Sequence, residues 1–517
     1  MRRYKSALVL GLGVSGEAAA RLLLAEGTRV VAGDCEDSPA LRRRAAALQA
    51  LGAEVALGTG SAPPGLPARA LASAGDFEVA IVSPGIPATA AVVKATEARG
   101  IPVLAELELG WSRAAARVLA ISGSNGKSTL VKLCAEALAL AGQRVAVAGN
   151  YGVPVSAVIA ERRQLDWLVL EVSSFQLETV RMFRPDVGVL LNLWPNHIDR
   201  HGDFQQYSKM KARLFAHMTS ADTGVVEQTI LPEIKSLAHS PNRWIAVGVS
   251  VMGQIQGGRA MVGTAPRHRA GQAPSLSRLG GTVRGAFGER ALPLVPPITD
   301  RLGVSPTADC FYQSGVIHNS ISGEKIELRG TMFDNEVMGL TAAAALAALS
   351  ACGVNACHLA AAVRAFQPLP HRLQDLGAVR GIRFVNDSKA TNLAAMLAAL
   401  SIMPGKVRLI AGGLPKGESY EPARELLAAK AAAVYLIGQS ATVMEAAWRE
   451  SVRCVVCGTL ESAFASAWKE AKPGETILLA PACASFDQFR SFAERGERFM
   501  NLIHALAVRP QSCGGNR

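Results

Sequence analysis

A chain of 517 residues is too long for one core and implies two to four domains, and 49% hydrophobic with 19% charged residues marks it as folded throughout most of its length. The formal charge of +12 is not arranged in stripes interleaved with aromatics, which make up only 5% of the chain; this argues against nucleic acid and for small polyanionic substrates. No apolar run reaches the roughly 18 to 20 residues of a membrane span, and no leader-like segment precedes the first strand, so a cytoplasmic protein with no membrane span is expected.

Residues 7–13 read as a strand, 15–26 as a helix, 28–34 as a strand and 77–83 as another. This alternation implies a parallel sheet with helices on its faces. Between the first strand and its helix lies Gly11-Leu12-Gly13-Val14-Ser15-Gly16, with Asp34 ending the next strand. That is the form of a dinucleotide-binding turn, in which glycines admit a phosphate to the backbone and the helix N-terminus faces it. The plain alternative is a tight strand–helix turn, and the specific competitor is an NAD-dependent oxidoreductase. Ser83-Pro84-Gly85 forms a second turn able to hold phosphate oxygens.

A second run starts at Arg117, with strands expected at 118–122, 144–148, 167–172 and 187–193 and a helix at 127–141. The loop Gly123-Ser124-Asn125-Gly126-Lys127-Ser128-Thr129 joins its first strand to that helix. Its glycines let backbone N–H groups converge on ATP phosphates, Lys127 can reach the β- and γ-phosphates, and the Ser128 hydroxyl can bind Mg²⁺. The spacing is shorter than the general phosphate-loop motif. Glu171 ends an apolar strand, where a carboxylate must be solvated, paired or bound to a cation such as Mg²⁺. His197 and Asp199 lie just past another strand end, the place where α/β proteins bind ligands. Lys211 lies on a helical stretch and is otherwise a surface lysine.

Residues 251–305 break the pattern. They contain seven Arg and no Lys, lack periodicity, and are bracketed by the repeat Gly248-Val249-Ser250 and Gly303-Val304-Ser305. An in-frame insertion forming a surface loop is expected there. A third run has strands at 383–386, 407–411, 433–437 and 476–480. Cys454 and Cys457 have redox or zinc-pair spacing, but with no second pair nearby they read as small side chains of a buried strand. The expected fold is α/β in three domains. They are a Rossmann-like unit (1–114), a central P-loop ATPase-type unit with a mixed or parallel sheet (115–368) and a second Rossmann-like unit (369–517).

Taken together, these residues resemble the Mur ligase family of bacterial peptidoglycan synthesis. The likeness rests on Gly123–Thr129, on Glu171-Val172-Ser173-Ser174-Phe175-Gln176-Leu177 and on Asn196-His197-Ile198-Asp199-Arg200. In the third run it rests on His371-Arg372, Asn386 to Thr391, Gly412 to Lys416 and Ala482 to Phe489. It implies an ATP-dependent acid–amino-acid ligase joining D-glutamate to UDP-N-acetylmuramoyl-L-alanine through an acyl phosphate, working as a monomer. Lys127, His197 and Lys211 would be catalytic, with two Mg²⁺ ions at Ser128, Glu171, His197 and Lys211, and Lys211 carbamylated by CO₂. Arg372, Asp387 and Asn335 would contact the nucleotide; Asn335 is the nearest candidate where the family often has a His-Asn pair.

The resemblance also reassigns the first turn. Val14, Ser15, Gly16, Ser83, Pro84 and Gly85 would hold the UDP portion in place of NAD, with Asp34, Cys35 and Glu36 near the uracil and Asn150 on the substrate. Lys416, Ser485 and Phe486 would form the D-glutamate site, and Lys389 and Thr391, from a segment matching the family's nucleotide contacts, would bind substrate with Phe492. The alternatives are a relative adding another amino acid, and the oxidoreductase, which leaves Lys127, Glu171 and His197 unexplained.

Overall fold

The computed structural model describes residues 3–58, 77–240, 243–250 and 308–508, and the expected insertion at 251–305 lies outside them. Three sheets follow one another along the chain. The first contains β1 (Ser6–Leu10), β2 (Arg29–Asp34), β3 (Glu54–Leu57), β4 (Val79–Val82) and β5 (Val103–Ala105) in the order β3-β2-β1-β4-β5. All its pairs are parallel. Every residue of β1 is buried, as expected of a central strand covered on both faces. The strand order reverses between β1 and β4, so the loops after these two strands, at Gly11 and Ser83, flank one crevice.

The second sheet holds β6 (Arg117–Ser122), β7 (Val145–Gly149), β8 (Trp167–Glu171), β9 (Val187–Leu190), β10 (Thr223–Glu227) and β11 (Arg243–Val249). It continues with β12 (Cys310–Gln313), β13 (Val316–Asn319) and β14 (Lys325–Glu327), in the order β14-β13-β12-β11-β10-β9-β6-β8-β7. The last two strands by sequence pair antiparallel and the others are parallel. β6 lies between β8 and β9, with Ile121 in register with both Glu171 and Val189. The phosphate loop, Glu171 and the residues after β9 are therefore neighbours by topology. Helix Glu336–Ala351 is buried on all sides along Thr341–Leu349, which its run of alanines and leucines allows.

The third sheet holds β15 (Gln374–Val379), β16 (Ile382–Asn386), β17 (Val407–Gly412), β18 (Ala431–Ile437), β19 (Cys454–Gly458) and β20 (Thr476–Leu479), in the order β15-β16-β20-β17-β18-β19. Only β15 is antiparallel. The ends of β16, β20 and β17 lie side by side, which gathers Asp387, Ser485 and Lys416 at one edge. The three-domain α/β expectation holds.

The Cys454–Cys457 reading needs correction. β19 is the last strand of its sheet and pairs only with β18, so both cysteines are half-buried and Val456 is 51% exposed. Expected strands also ran past their true ends: β8 stops at Glu171 and β9 at Leu190, because the following residues leave the sheet to shape the site. No described helix is long and apolar enough to cross a membrane.

Candidate active site

The loop after β6 takes its shape from its glycines and from Asn192. Gly123 has φ 150° and Gly126, which caps helix Lys127–Leu140, has φ 81°. A side chain at either would be strained, so glycine is required here. Asn192, just past β9, accepts the backbone N–H groups of Ser124 and Asn125 on Oδ1 at 3.0 and 2.9 Å, and donates Nδ2 to the Asn125 carbonyl at 3.2 Å. The Ser124 hydroxyl accepts from Trp194 N at 2.8 Å and lies 3.0 Å from the Tyr207 hydroxyl. Lys127 folds back, donating Nζ to the carbonyls of Gly123 (2.8 Å) and Ser124 (2.9 Å). Asn192 was not anticipated from sequence; its place at the end of the strand beside β6 was the available signal.

Glu171 is 2% exposed. It accepts hydrogen bonds from the Ser128 hydroxyl and, at 2.5 Å, from Asn150 Nδ2, while Arg372 Nη2 donates to Ser128 Oγ at 2.7 Å. Burial pushes the Glu171 pKa up, but Lys127, the Ser128 and Asn150 hydrogen bonds and Arg372 together outweigh it and hold the carboxyl below its ordinary value. Burial lowers both Lys127 and Arg372, with Glu171 partly opposing the shift in each. The Ser128 hydroxyl and an ionised Glu171 are hard oxygen donors that fit Mg²⁺, an ion bound through one or two protein groups plus phosphate oxygens and water. Among the described residues no group of three or more His, Cys, Asp or Glu side chains forms a complete protein cage.

His197 and Lys211 lie near this cluster, close enough for the charge of Lys127 to act on both. His197 is left-handed (φ 54°), and burial followed by Lys416 lowers its pKa to about 4, so its ring is neutral near pH 7. Its neighbour Asn196 has a buried Oδ1 with no hydrogen-bond partner. Lys211 is no surface lysine. It is 2% exposed and donates Nζ to Gly123 O (2.9 Å) and Ser122 Oγ (3.1 Å), and burial followed by Lys127 lowers its pKa well below that of an ordinary lysine. Helix Phe204–Ala212 buries Tyr207, Ser208, Lys211 and Ala212, so Lys211 sits on its inward stripe.

The third sheet closes the other side. Asp387 is buried, which raises its pKa to about 7 despite a hydrogen bond from Leu373 N (3.2 Å) and the charge of Arg372. Burial lowers Lys389 to about 8, and its Nζ lies 4.0 Å from the centre of the Phe492 ring. Lys416 Nζ lies 3.5 Å from Thr391 Oγ1. Ser485 is buried, whereas Phe486 beside it is 70% exposed. Sequence reasoning missed Glu418, whose Oε2 accepts from Leu393 N (3.1 Å) while its buried Oε1 has no partner. It also missed Arg495, fully buried, which donates to Ser388 Oγ and to the carbonyls of Ser388, Cys483 and Ala484. Two contacts tie this sheet to the phosphate loop: Arg372 to Ser128, and a reciprocal amide pair between Asn125 and Asn392 at 3.3 and 3.1 Å.

Asn335 is used locally. Its Oδ1 caps helix Glu336–Ala351 through Met338 N and its Nδ2 reaches Met332 O, both at 3.0 Å. In the first sheet Asp34 braces two turns, accepting Leu12 N of the Gly11 turn at 2.7 Å and Glu36 N of its own at 3.1 Å. Ser83 Oγ donates to Gly11 O at 2.9 Å, locking the two turns together, and Val14 is 60% exposed at the rim. A cavity of about 560 Å³ opens elsewhere, at the amino-terminal ends of β6 and β8 beside Arg117, Trp167 and His358. Ligands of such sheets bind at the carboxyl ends, so the clusters above carry the assignment.

Comparison with known proteins agrees with this arrangement. Family models match in chain order: the MurD-like N-terminal domain of Mur ligases at residues 5–105, the Mur ligase middle domain at 121–251 and the Mur ligase glutamate ligase domain at 371–483. The UDP-N-acetylmuramoylalanine–D-glutamate ligase of Acidobacterium capsulatum is 33% identical over 97% of this chain and 96% of its own length. The chain belongs to the Mur ligase family. Another Mur ligase, the enzyme of the same name from Myxococcus xanthus, is 35% identical over 96% of this chain and 98% of its own. Among solved structures, MurF from Acinetobacter baumannii aligns with a TM-score of 0.55 at 14% identity, over 92% of this chain and 91% of its own. A pseudomurein peptide ligase type C from Methanothermus fervidus gives 0.54 at 17%, over 97% and 100%. Both share the Mur ligase fold.

Proposed function

We propose that this Mur ligase uses ATP to join D-glutamate to UDP-N-acetylmuramoyl-L-alanine in peptidoglycan synthesis. The observation that carries the reading is the buried, ionised Glu171 held between Ser128, Asn150, Lys127 and Arg372 at the mouth of the phosphate loop. A carboxylate set among cations in this way suits a site built for a polyanion and its counter-ion.

The γ-phosphoryl group passes to the alanyl carboxylate of the UDP-sugar, releasing ADP. The amine of D-glutamate then attacks the acyl phosphate, an amide bond forms, and phosphate leaves with loss of the amine proton. Lys127 exchanges two loop carbonyls for the phosphate oxygens, and Arg372 exchanges the Ser128 hydroxyl for them. Their effect is electrostatic and positional, as in other phosphoryl transfers. Ser128 and Glu171 would hold Mg²⁺ and His197 and Lys211 would serve a second ion; bound metal would supply charge neutralisation on the phosphates. Lys211, buried against the phosphate loop with Nζ on Gly123 O and Ser122 Oγ, is the lysine assigned to carbamylation, in which the amine adds CO₂ with release of one proton. Lys416, Lys389 and Thr391 face the two carboxylates of D-glutamate, and the unpartnered Glu418 oxygen lies in the same cluster. The enzyme works as a cytoplasmic monomer.

Phosphate release with ATP, Mg²⁺ and UDP-N-acetylmuramoyl-L-alanine, measured over a panel of D- and L-amino acids, tests the reading. Turnover with D-glutamate alone is expected. Turnover only with an L-amino acid overturns the acceptor assignment and leaves the ligase intact.

A further inference from the structure

Arg200 lies three residues past His197, and its guanidinium is bonded to Glu178 and to the first unit. Nε and Nη2 form a two-pronged pair with the Glu178 carboxylate, each at 2.8 Å. The same guanidinium reaches three consecutive carbonyls of the first unit: Pro84 (3.2 Å), Gly85 (3.0 Å) and Ile86 (3.3 Å). Glu178 completes the clamp by accepting Ala88 N at 3.1 Å. One ion pair of the central unit thus grips both polarities of the turn that follows β4. Its side chains are only 12% and 9% exposed, so solvent screens it little.

The pair also connects inward. The Arg200 guanidinium carbon lies 4.3 Å from the centre of the Phe175 ring, and that ring meets the His197 imidazole edge-on with centroids 4.7 Å apart. Phe175 is therefore shared between Arg200 and His197. Since His197 has a left-handed backbone, its orientation is held by its surroundings and not by local preference.

We propose that Arg200 and Glu178 are positioning residues that fasten the UDP-holding turn at Ser83–Ala88 to the His197 segment, with Phe175 passing the alignment to the imidazole. The idea rests on the substrate reading above. Through this link, binding of the UDP portion and placement of the reacting carboxylate become one event. Arginine is needed because a planar fork serves a carboxylate and several carbonyls together, whereas an ammonium is a point charge.

The test uses the full-length enzyme. Calorimetry without nucleotide measures UDP-N-acetylmuramoyl-L-alanine affinity, initial rates give kcat and both KM values, and melting curves confirm folding. Arg200→Ala should weaken UDP-substrate binding on the order of 10-fold to 100-fold, the scale expected for roughly 1 Å of misplacement, with KM for ATP within about twofold of wild type. Arg200→Lys should fail to restore it. Glu178→Gln, which preserves shape and most hydrogen bonds, should give a smaller loss in the same direction. The double variant Arg200→Ala/Glu178→Ala should be no worse than the weaker-binding single, because the two act as a unit. Phe175→Leu should lower kcat with little change in UDP-substrate affinity, a split that a merely structural role does not produce. Wild-type affinity in folded Arg200→Ala, an equal rise in KM for ATP, or additive losses in the double variant each overturn the proposal. Failure of the wild-type enzyme to bind the UDP-sugar overturns the substrate reading instead.

Discussion

Two glycines of one turn should respond in opposite ways to the same substitution. A Cβ at Gly16 would lie 1.8 Å from the Gly11 carbonyl oxygen and 2.9 Å from Ser83 Oγ, whereas a Cβ at Gly13 meets nothing within 4 Å. Gly13 already has φ −60°, which alanine accepts. To admit the Gly16 methyl, the turn must open by more than about 1 Å, since carbon and oxygen pack no closer than roughly 3 Å. That movement breaks the 2.9 Å hydrogen bond from Ser83 Oγ to Gly11 O, a loss of about 0.5–1.5 kcal/mol. Overpacking adds about 1–3 kcal/mol, so Gly16→Ala should destabilise the first unit by roughly 2–4 kcal/mol. The displaced turn should also raise KM for the UDP-substrate by on the order of 10-fold to 100-fold, leaving KM for ATP unchanged. Gly13→Ala should unfold within about 0.5 kcal/mol of wild type. Urea unfolding and initial rates decide the matter. Gly16→Ala with wild-type stability and wild-type KM would refute the close-approach argument for this turn.

Lys127→Ala should lower kcat by on the order of 10² to 10³, by analogy with loss of one stabilising donor, while affinity for the UDP-substrate stays near wild type; phosphate release and calorimetry check the two halves. Arg495→Met removes the shared donor of three carbonyls and a hydroxyl and should destabilise the third unit by about 2–5 kcal/mol, read from urea curves. A change below about 0.5 kcal/mol would place that unit's organisation elsewhere. Hydrogen bonds from Arg453 and Tyr435 hold Glu470 at about 2, below the roughly 4.3 of an unfolded glutamate. Its stabilisation is therefore complete above about pH 5 and is lost as pH falls toward 2. The acid limb of a stability–pH profile should be shallower in Glu470→Gln, and identical limbs would refute the assignment.

Much of this was readable from the chain because strand ends are where both sequence signals and ligands concentrate. The glycine turns at Gly11 and Gly123 mark places where the backbone itself must meet something. Glu171 stood out as a charge ending an apolar strand. Lys211 was harder, although Phe204, Tyr207 and Lys211 share one helical face and place it inward with its aromatic neighbours. What stayed hidden depended on strand order. Asn192 props the loop only because β9 lies beside β6, and Asn125 meets Asn392 across 267 residues of chain. Short strands such as Glu54–Leu57 and Val103–Ala105 carry too few residues for a periodic signal, and the hairpin β12–β13 lies next to a segment whose composition masked it. Asn335 and Asp34 carry local structural contacts that were not read from sequence, one capping a helix and the other bracing two turns.

The amide pair between Asn125 and Asn392 is one of two ties between the halves of the site, beside Arg372 on Ser128. Both partners are neutral, and water can replace each bond almost in kind, so separating them costs about 1–3 kcal/mol in all. Parting the halves also draws the Arg372 guanidinium away from Ser128 and from the charge of Glu171, so the amide pair is the weaker of the two ties. The arginine supplies the hold and the two asparagines, each donating to the other, supply the register in which the nucleotide loop and the amino-acid unit meet.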